Sequence, residues 1–307
     1  MTAPANLYVS SSAVGIKESE VDDVFIVSPV DTKFSAKIKA GQKPKNTTHG
    51  WYTDTIAADA DNVQAEGDTI TVSATVAATR LTNTLQIQSK TFGVSRTTLE
   101  LQSYGGVTDE GHLTAKNMKA LAKDSERAAL RGVEVTSDPR AMKGALNWIT
   151  TSLMKASDAT LNANGTISGG TLRPLSEGLF KDCIENIFNN STGEPDTVYC
   201  SSALTRKFTE FAGTGNYRQM VEKGRIDAYV DLYATEFDFV FRIQPHRIMP
   251  ANTIFICDHS TWKKNTLHTA SKKEVLFNAD GKQFHIVQEW TIEARSELCN
   301  GRITNVY

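Results

Sequence analysis

Between Thr53 and Arg80 lie 28 consecutive residues whose only large apolar side chains are Ile56, Val63, Ile70, Val72 and Val76, set among Ala, Thr and Asp. Fixing a backbone costs about 1–2 kcal/mol per residue, and so few apolar groups cannot offset that within the segment itself. From Thr69 to Thr79, Ile70, Val72, Ala74 and Val76 alternate with Thr69, Thr71, Ser73 and Thr75, which is strand spacing. Leu81, Leu85 and Ile87 continue the alternation with the parity flipped, so a bulge or turn is expected near Arg80. Residues from about Trp51 to Val94 therefore read as a long, poorly hydrophobic β excursion projecting from the body and needing something outside itself to order it.

Charge is segregated around the same region. From Thr32 to Thr53 there are five lysines (Lys33, Lys37, Lys39, Lys43, Lys45) and no acid; Asp54, Asp59, Asp61, Glu66 and Asp68 follow with no base before Arg80. The +5 and −5 blocks are either two solvated faces or surfaces that each meet the opposite block on a neighbouring chain. The lysine block could also touch a polyanion. With no aromatic interleaving beyond Phe34, such contact would be non-specific.

The rest of the chain carries conventional signals. Thr108-Asp109-Glu110 puts a cap and two acids ahead of strong helix formers running to Arg131, with Gly132 as the stop, so the longest helix is expected over 109–131. Met118, Leu121, Ala122, Ser125 and Ala129 form its narrow buried stripe, while Lys116, Lys119, Lys123, Asp124, Glu126 and Arg127 are expected to stay wet. A second helix is expected from Arg173-Pro174 to Ser191, carried by Leu175, Leu179, Cys183 and Ile187, and a third over Ser202–Ala212, burying Leu204, Phe208 and Phe211. Thr197–Cys200 reads as a short strand. Phe237, Phe239, Phe241 and Ile243 alternate as a strand, Thr253–Cys257 is apolar on both faces and belongs inside a sheet, and Gln283–Arg295 is the longest strand, with Phe284, Ile286, Trp290, Ile292 and Ala294 on one face.

At 307 residues and 40% hydrophobic content the chain can build one large domain or two ordinary ones, which excludes wholesale disorder. A net charge of −2 excludes the overall basic footprint of a dedicated nucleic-acid binder. No stretch approaches the roughly 18 apolar residues of a membrane span, and the start has neither a basic lead nor an apolar run, so the chain is expected to be cytosolic when made.

Catalytic signals are weak. Cys183, Cys200, Cys257 and Cys299 are far apart, with no C-x-x-C, and are expected to be free, mostly buried thiols. The best enzyme candidate is Cys257-Asp258-His259 at the end of the buried strand. A Cys–His pair two residues apart comes within hydrogen-bond reach only if the chain turns there. The six histidines include no H-x-x-x-H or H-E-x-x-H pair, so metal ligation has no support. Gly213-Thr214-Gly215-Asn216-Tyr217-Arg218 follows a helix rather than a strand and lacks the Lys-Ser/Thr of a phosphate loop; it reads as a flexible tip.

The order of parts resembles tailed-bacteriophage major capsid proteins of the Hong Kong 97 fold. The resemblance rests on Val27-Ser28-Pro29-Val30-Asp31-Thr32-Lys33-Phe34, Trp51-Tyr52-Thr53-Asp54, Glu66-Gly67, Arg80 to Ile87, Val94-Ser95, Tyr104-Gly105, Ala120 to Gly132, Met249-Pro250, Ile254 to Asp258, Trp262-Lys263 and Glu289 to Glu293. It implies an α+β capsid fold: an N-terminal arm (1–50), an extended β loop (51–95), a peripheral domain (96–170) with its spine helix (109–131), an axial domain (171–267) and the closing peripheral strands (268–307). By the same resemblance the chain would be a shell subunit forming pentamers and hexamers around double-stranded DNA. It would act with a portal, scaffolding and cement proteins, without membrane or cofactor, in a virion capsid assembled in the host cytoplasm. Trp51, Asp54, Asp59, Asp61, Glu66, Arg80 and Arg127 would be assembly-interface candidates, Lys33, Lys37, Lys39, Lys43 and Lys45 would face DNA, and Gly213, Gly215, Asn216 and Arg218 would lie at the capsomer axis. Some relatives weld subunits through a lysine in the extended loop. This chain has none from Asn46 through Ser89, so no such weld is expected, no catalytic acid is assigned, and Glu289 and Glu293 are expected at an interface or in solvent. A bacterial nanocompartment shell of the same fold and a cysteine-dependent hydrolase are the alternatives.

Overall fold

The long alternation near the C-terminus is the spine of one sheet, and the doubly apolar strand before it is the middle of another. The computed structural model describes residues 31–56, 59, 61, 63–67, 77–101, 110–212, 232–276 and 280–307. In chain order the elements are α1 (Lys33–Lys37), β1 (Lys39–Ala40), β2 (Thr48–Thr53), β3 (Thr79–Thr84), β4 (Gln86–Ser95), α2 (Arg96–Glu100), α3 (Glu110–Arg131), α4 (Ala145–Trp148), β5 (Leu153–Met154), β6 (Thr160–Leu161), β7 (Ile167–Ser168), α5 (Glu177–Asn190), β8 (Thr197–Cys200), α6 (Ser202–Ala212), β9 (Leu232–Ala234), β10 (Val240–Pro245), β11 (Thr253–Cys257), β12 (Trp262–Val275), β13 (Gly281–Ala294) and β14 (Gly301–Thr304).

β1, β12, β13 and β4 form a four-stranded sheet in that order. All five apolar residues of the expected β13 face are buried, and α3 lies against β4 and β13. The six-stranded sheet runs β5-β14-β11-β8-β10-β9, with β11 in its interior. Its two faces feed two cores. Tyr199, Phe255 and Cys257 point into a core shared with Phe34, Trp262 and Trp290, while Val198, Ile254 and Ile256 point into one closed by Phe180, Ile184 and Ile187 of α5 and Leu204 and Phe208 of α6. That is why β11 is apolar on both sides.

Several expectations are corrected. A break in parity falls at Leu85, between β3 and β4, where Leu85 N–H donates to Thr47 O at 2.8 Å; the break expected near Arg80 is set against residues 69–76, which lie outside the described residues. In β4 it is Ile87 that faces out and Gln88 that is buried, because Gln88 Oε1 accepts from Ser125 Oγ, Gln288 Nε2 and Trp290 Nε1. Met118 of the α3 stripe is exposed, and Glu126, expected to be wet, is wholly buried. The helix expected at Arg173 starts three residues after Pro174, capped by Ser176 Oγ accepting from Leu179 N–H, since Arg173 is held extended beside Val306. The strand expected through Phe237 is split by a turn: Thr235 N–H donates to Phe239 O, Asp238 takes φ +64°, and only β10 continues. The alternation from Thr69 to Val76, Asp109 at the start of the long helix and Gly213 after α6 lie outside the described residues.

Candidate assembly surface

β2 and β3 form an antiparallel pair, Trp51 opposite Leu81 and Tyr52 opposite Arg80, from which residues 54–78 depart and return. The pair is fastened to β13. Trp51 Nε1–H donates to Ala294 O (2.9 Å), its ring lies 5.5 Å from that of Trp148, and His49 Nε2 lies 3.2 Å from Glu293 Oε2. On the return strand the buried Asn83 donates from Nδ2 to Ile292 O (2.9 Å), and Thr291 Oγ1–H donates to Thr84 O (3.0 Å). Beyond this root the segment is left uncovered by the described residues: Tyr52 is 72% exposed, Ile56 98% and Val63 89%. Asp54, Asp59, Asp61, Glu66 and Arg80 are exposed as well, whereas Trp51, at 8%, belongs to the core of its own chain.

The lysine block divides. Lys33 Nζ donates to Pro245 O at 2.6 Å, and Lys37 Nζ donates to Thr197 Oγ1 at 3.2 Å and lies over the Tyr199 ring. Lys39, paired by register with Lys263, and Lys43 and Lys45 are exposed. What fixes this stretch to the body is Glu126 of α3. Its Oε1 accepts from Phe34 N–H (2.7 Å), its Oε2 from Ser35 N–H (2.9 Å), and His246 Nε2 lies 2.9 Å from Oε1. Burial pushes the Glu126 carboxyl up, but the hydrogen bonds from His246, Ser35 and Phe34 outweigh it and hold it below its ordinary value. Sequence reasoning missed Glu126 and His246. The available signal was Ser125, a polar residue inside the apolar stripe next to Glu126.

Glu289 and Glu293 are likewise corrected from solvent or interface to internal partners. Arg140 Nη2 donates to Glu289 Oε1 at 3.1 Å, and Glu293, nearly buried, accepts from Asn265 Nδ2 (2.8 Å) and Arg295 Nε (2.9 Å). Burial raises the Glu293 carboxyl, and the Asn265, Arg295 and His49 contacts lower it by more.

The geometry withdraws the enzyme candidate. Cys257 is fully buried, and burial pushes its thiol well above the ordinary value. His259 turns instead to Tyr199 Oη (2.9 Å) and Asp196 Oδ1 (3.0 Å). Among the described residues no group of His, Cys, Asp and Glu could hold a metal ion. Arg127 is exposed on α3 beside a shallow groove shared with Gln88, Asp124, Arg131 and Ala141. Gly213, Gly215, Asn216 and Arg218 lie outside the described residues.

Residues 4–307 match the model of the SU10 major capsid protein family. No curated protein matches the chain in sequence. Among solved structures, the capsid of a native GTA particle is 11% identical, with 97% of this chain and 98% of that one covered and a TM-score of 0.65. The capsid of cyanophage P-SCSP1u is 10% identical over 100% and 99% of the two chains, with a TM-score of 0.62. A chain of Mycobacterium phage Adephagia is 11% identical over 98% of each, with a TM-score of 0.61. At such identities these likenesses show the fold, which is of the Hong Kong 97 type.

Proposed function

The chain belongs to the SU10 major capsid protein family, and from that premise we propose that it closes an icosahedral shell of pentamers and hexamers around double-stranded DNA. It is a major capsid protein of a tailed phage, a structural protein of the virion shell and not an enzyme. The observation that supports the finer reading is the β2/β3 root: a fixed base carrying a segment whose Ile56 and Val63 stand almost fully in solvent. Burying each such side chain contributes about 1.5–3 kcal/mol, and in a shell a neighbouring subunit supplies the cover.

In this reading residues 1–50 are the arm, 51–95 the loop lying over a neighbour, and 109–131 the spine helix; the axial domain is centred on 171–257, with β5 and β14 joining its sheet from outside that span. The remainder is the peripheral domain. Asp54, Asp59, Asp61, Glu66 and Arg80 make the inter-subunit contacts, and scaffolding, cement and portal proteins complete the particle. Family membership favours a phage shell over a nanocompartment.

Negative-stain electron microscopy with size-exclusion chromatography tests it. Closed shells, rings or capsomer-sized particles are expected, and denaturing electrophoresis of mature particles should give one band near 33.6 kDa. A monomer at every concentration overturns the shell reading, and a ladder of covalent multimers overturns the absence of a weld.

A further inference from the structure

Helix α3 carries Lys116, Lys119, Lys123, Arg127 and Arg131 at intervals of three and four residues. At about 100° per residue these five side chains fall within an arc of about 120°, and at about 1.5 Å rise they span about 22 Å. All five are exposed. The acids along the helix are already engaged: Asp124 pairs with Lys90 at 2.6 Å, Glu110 with Lys272, and Glu126 is buried on Phe34, Ser35 and His246. Among the described residues no acid pairs with any of the five cations. Partial burial and then repulsion from Arg127 lower the Arg131 guanidinium below its ordinary value, as expected for two cations sharing a face with no anion between them.

We propose that this row on α3, rather than the lysines of 33–45, is the main surface that meets the phosphate backbone of the enclosed duplex. The proposal rests on the shell reading for its setting. Lys33 and Lys37 are tied to Pro245 and Thr197, which removes two of the five charges of the earlier block from free use. A line of cations without aromatic side chains suits a uniform polyanion, since phosphate contacts position without reading sequence. The competing occupant is the acidic 54–68 segment of a second copy. Its exposed Ile56 and Val63 require an apolar counter-surface, and along the row the one large apolar side chain at the surface is Met118, 38% exposed.

The test compares the full-length subunit with K119Q/K123Q/R127Q, whose altered side chains are exposed and whose urea midpoint should match the wild type. Binding of a short duplex DNA is measured against salt, with K39Q/K43Q/K45Q as the control, and shell closure is scored by electron microscopy. The α3 variant should bind at least about tenfold more weakly near 0.1 M salt, with a log–log slope shallower by about 2.7, while the control changes less and shells still close. Unchanged affinity and slope in the α3 variant overturn the proposal. So does loss of shell closure with DNA binding intact, which assigns the row to the acidic segment of a neighbour. Loss of DNA binding in the α3 variant when neither protein forms shells supports the surface and sinks the shell reading instead.

Discussion

Glu126 and His246 face each other across 2.9 Å with both side chains entirely buried. Ile248 N–H donates to His246 Nδ1 at 3.2 Å, so that nitrogen is an acceptor and the ring proton sits on Nε2, directed at the Glu126 carboxylate. The His246 ring and two backbone amides thus surround one buried carboxylate and join α1, α3 and the stretch after β10 at a single point.

Removing that anion leaves three donors, two of them buried, without an acceptor. Glu126→Ala should lower the stability of the unassembled subunit by about 3 kcal/mol, and Glu126→Gln by less, because one oxygen remains. Urea denaturation measures it; a loss under about 0.5 kcal/mol for Glu126→Ala would mean that α1 is held elsewhere.

The same carboxylate sets an acid limit. Its folded-state pKa lies below the ordinary 4.5, so its contribution is present in full above that value and is lost as pH falls through the lower, folded one. Wild-type stability should therefore decline below about pH 4.5 more steeply than that of Glu126→Gln. Parallel curves from thermal melts across pH 3–6 would show that other groups set the slope.

Trp51, a surface contact by the sequence reading, is a core anchor. Trp51→Phe keeps most of the packing but leaves Ala294 O without its donor, for about 1 kcal/mol, whereas Trp51→Ala should cost about 3–5 kcal/mol. Chemical denaturation of the isolated subunit separates the two. Equal losses would show that the hydrogen bond, not the ring, matters.

The thiols should be inert. Burial pushes Cys183 to about 12 and Cys200 to about 11, and Cys257 is also raised well above its ordinary value. A disulfide reagent at pH 8 should modify none of these three until the protein unfolds. Rapid labelling of Cys257 in the native state would reopen the nucleophile reading.

If the acidic segment makes contacts between subunits, reversing Asp59 and Asp61 to Lys should lower assembly yield and invert its response to salt. Light scattering during assembly records both, and an unchanged yield with an unchanged salt profile would place these acids in solvent.

The legible parts of the fold were those written in local periodicity. α6 spans the expected Ser202–Ala212, and the β13 face from Phe284 to Ala294 and the buried β11 are where alternation and apolar runs place them. Periodicity states which way a side chain points but not what waits there. Glu126 lies inside because Phe34 and His246, far away in sequence, bring donors to it, and Gln88 displaces Ile87 from the interior because Ser125, Gln288 and Trp290 supply its partners. Phe237 and Phe239 keep strand spacing through a turn, since a tight reversal can also present alternate residues to one side. The exposed segment was legible for the opposite reason: it lacks the residues from which any core is made.

Thr291, Ile292, Glu293 and Ala294, four successive residues of β13, receive the fastenings of β2 and β3. A pull on the exposed segment is thus delivered at one short span of a strand that pairs with β12 along that span and with β4 only as far as Trp290. Loading such a strand in shear strains many ladder bonds together instead of opening them one at a time. In a shell, such a root would act as a stiff hinge, passing load from the segment into the sheet at those four residues.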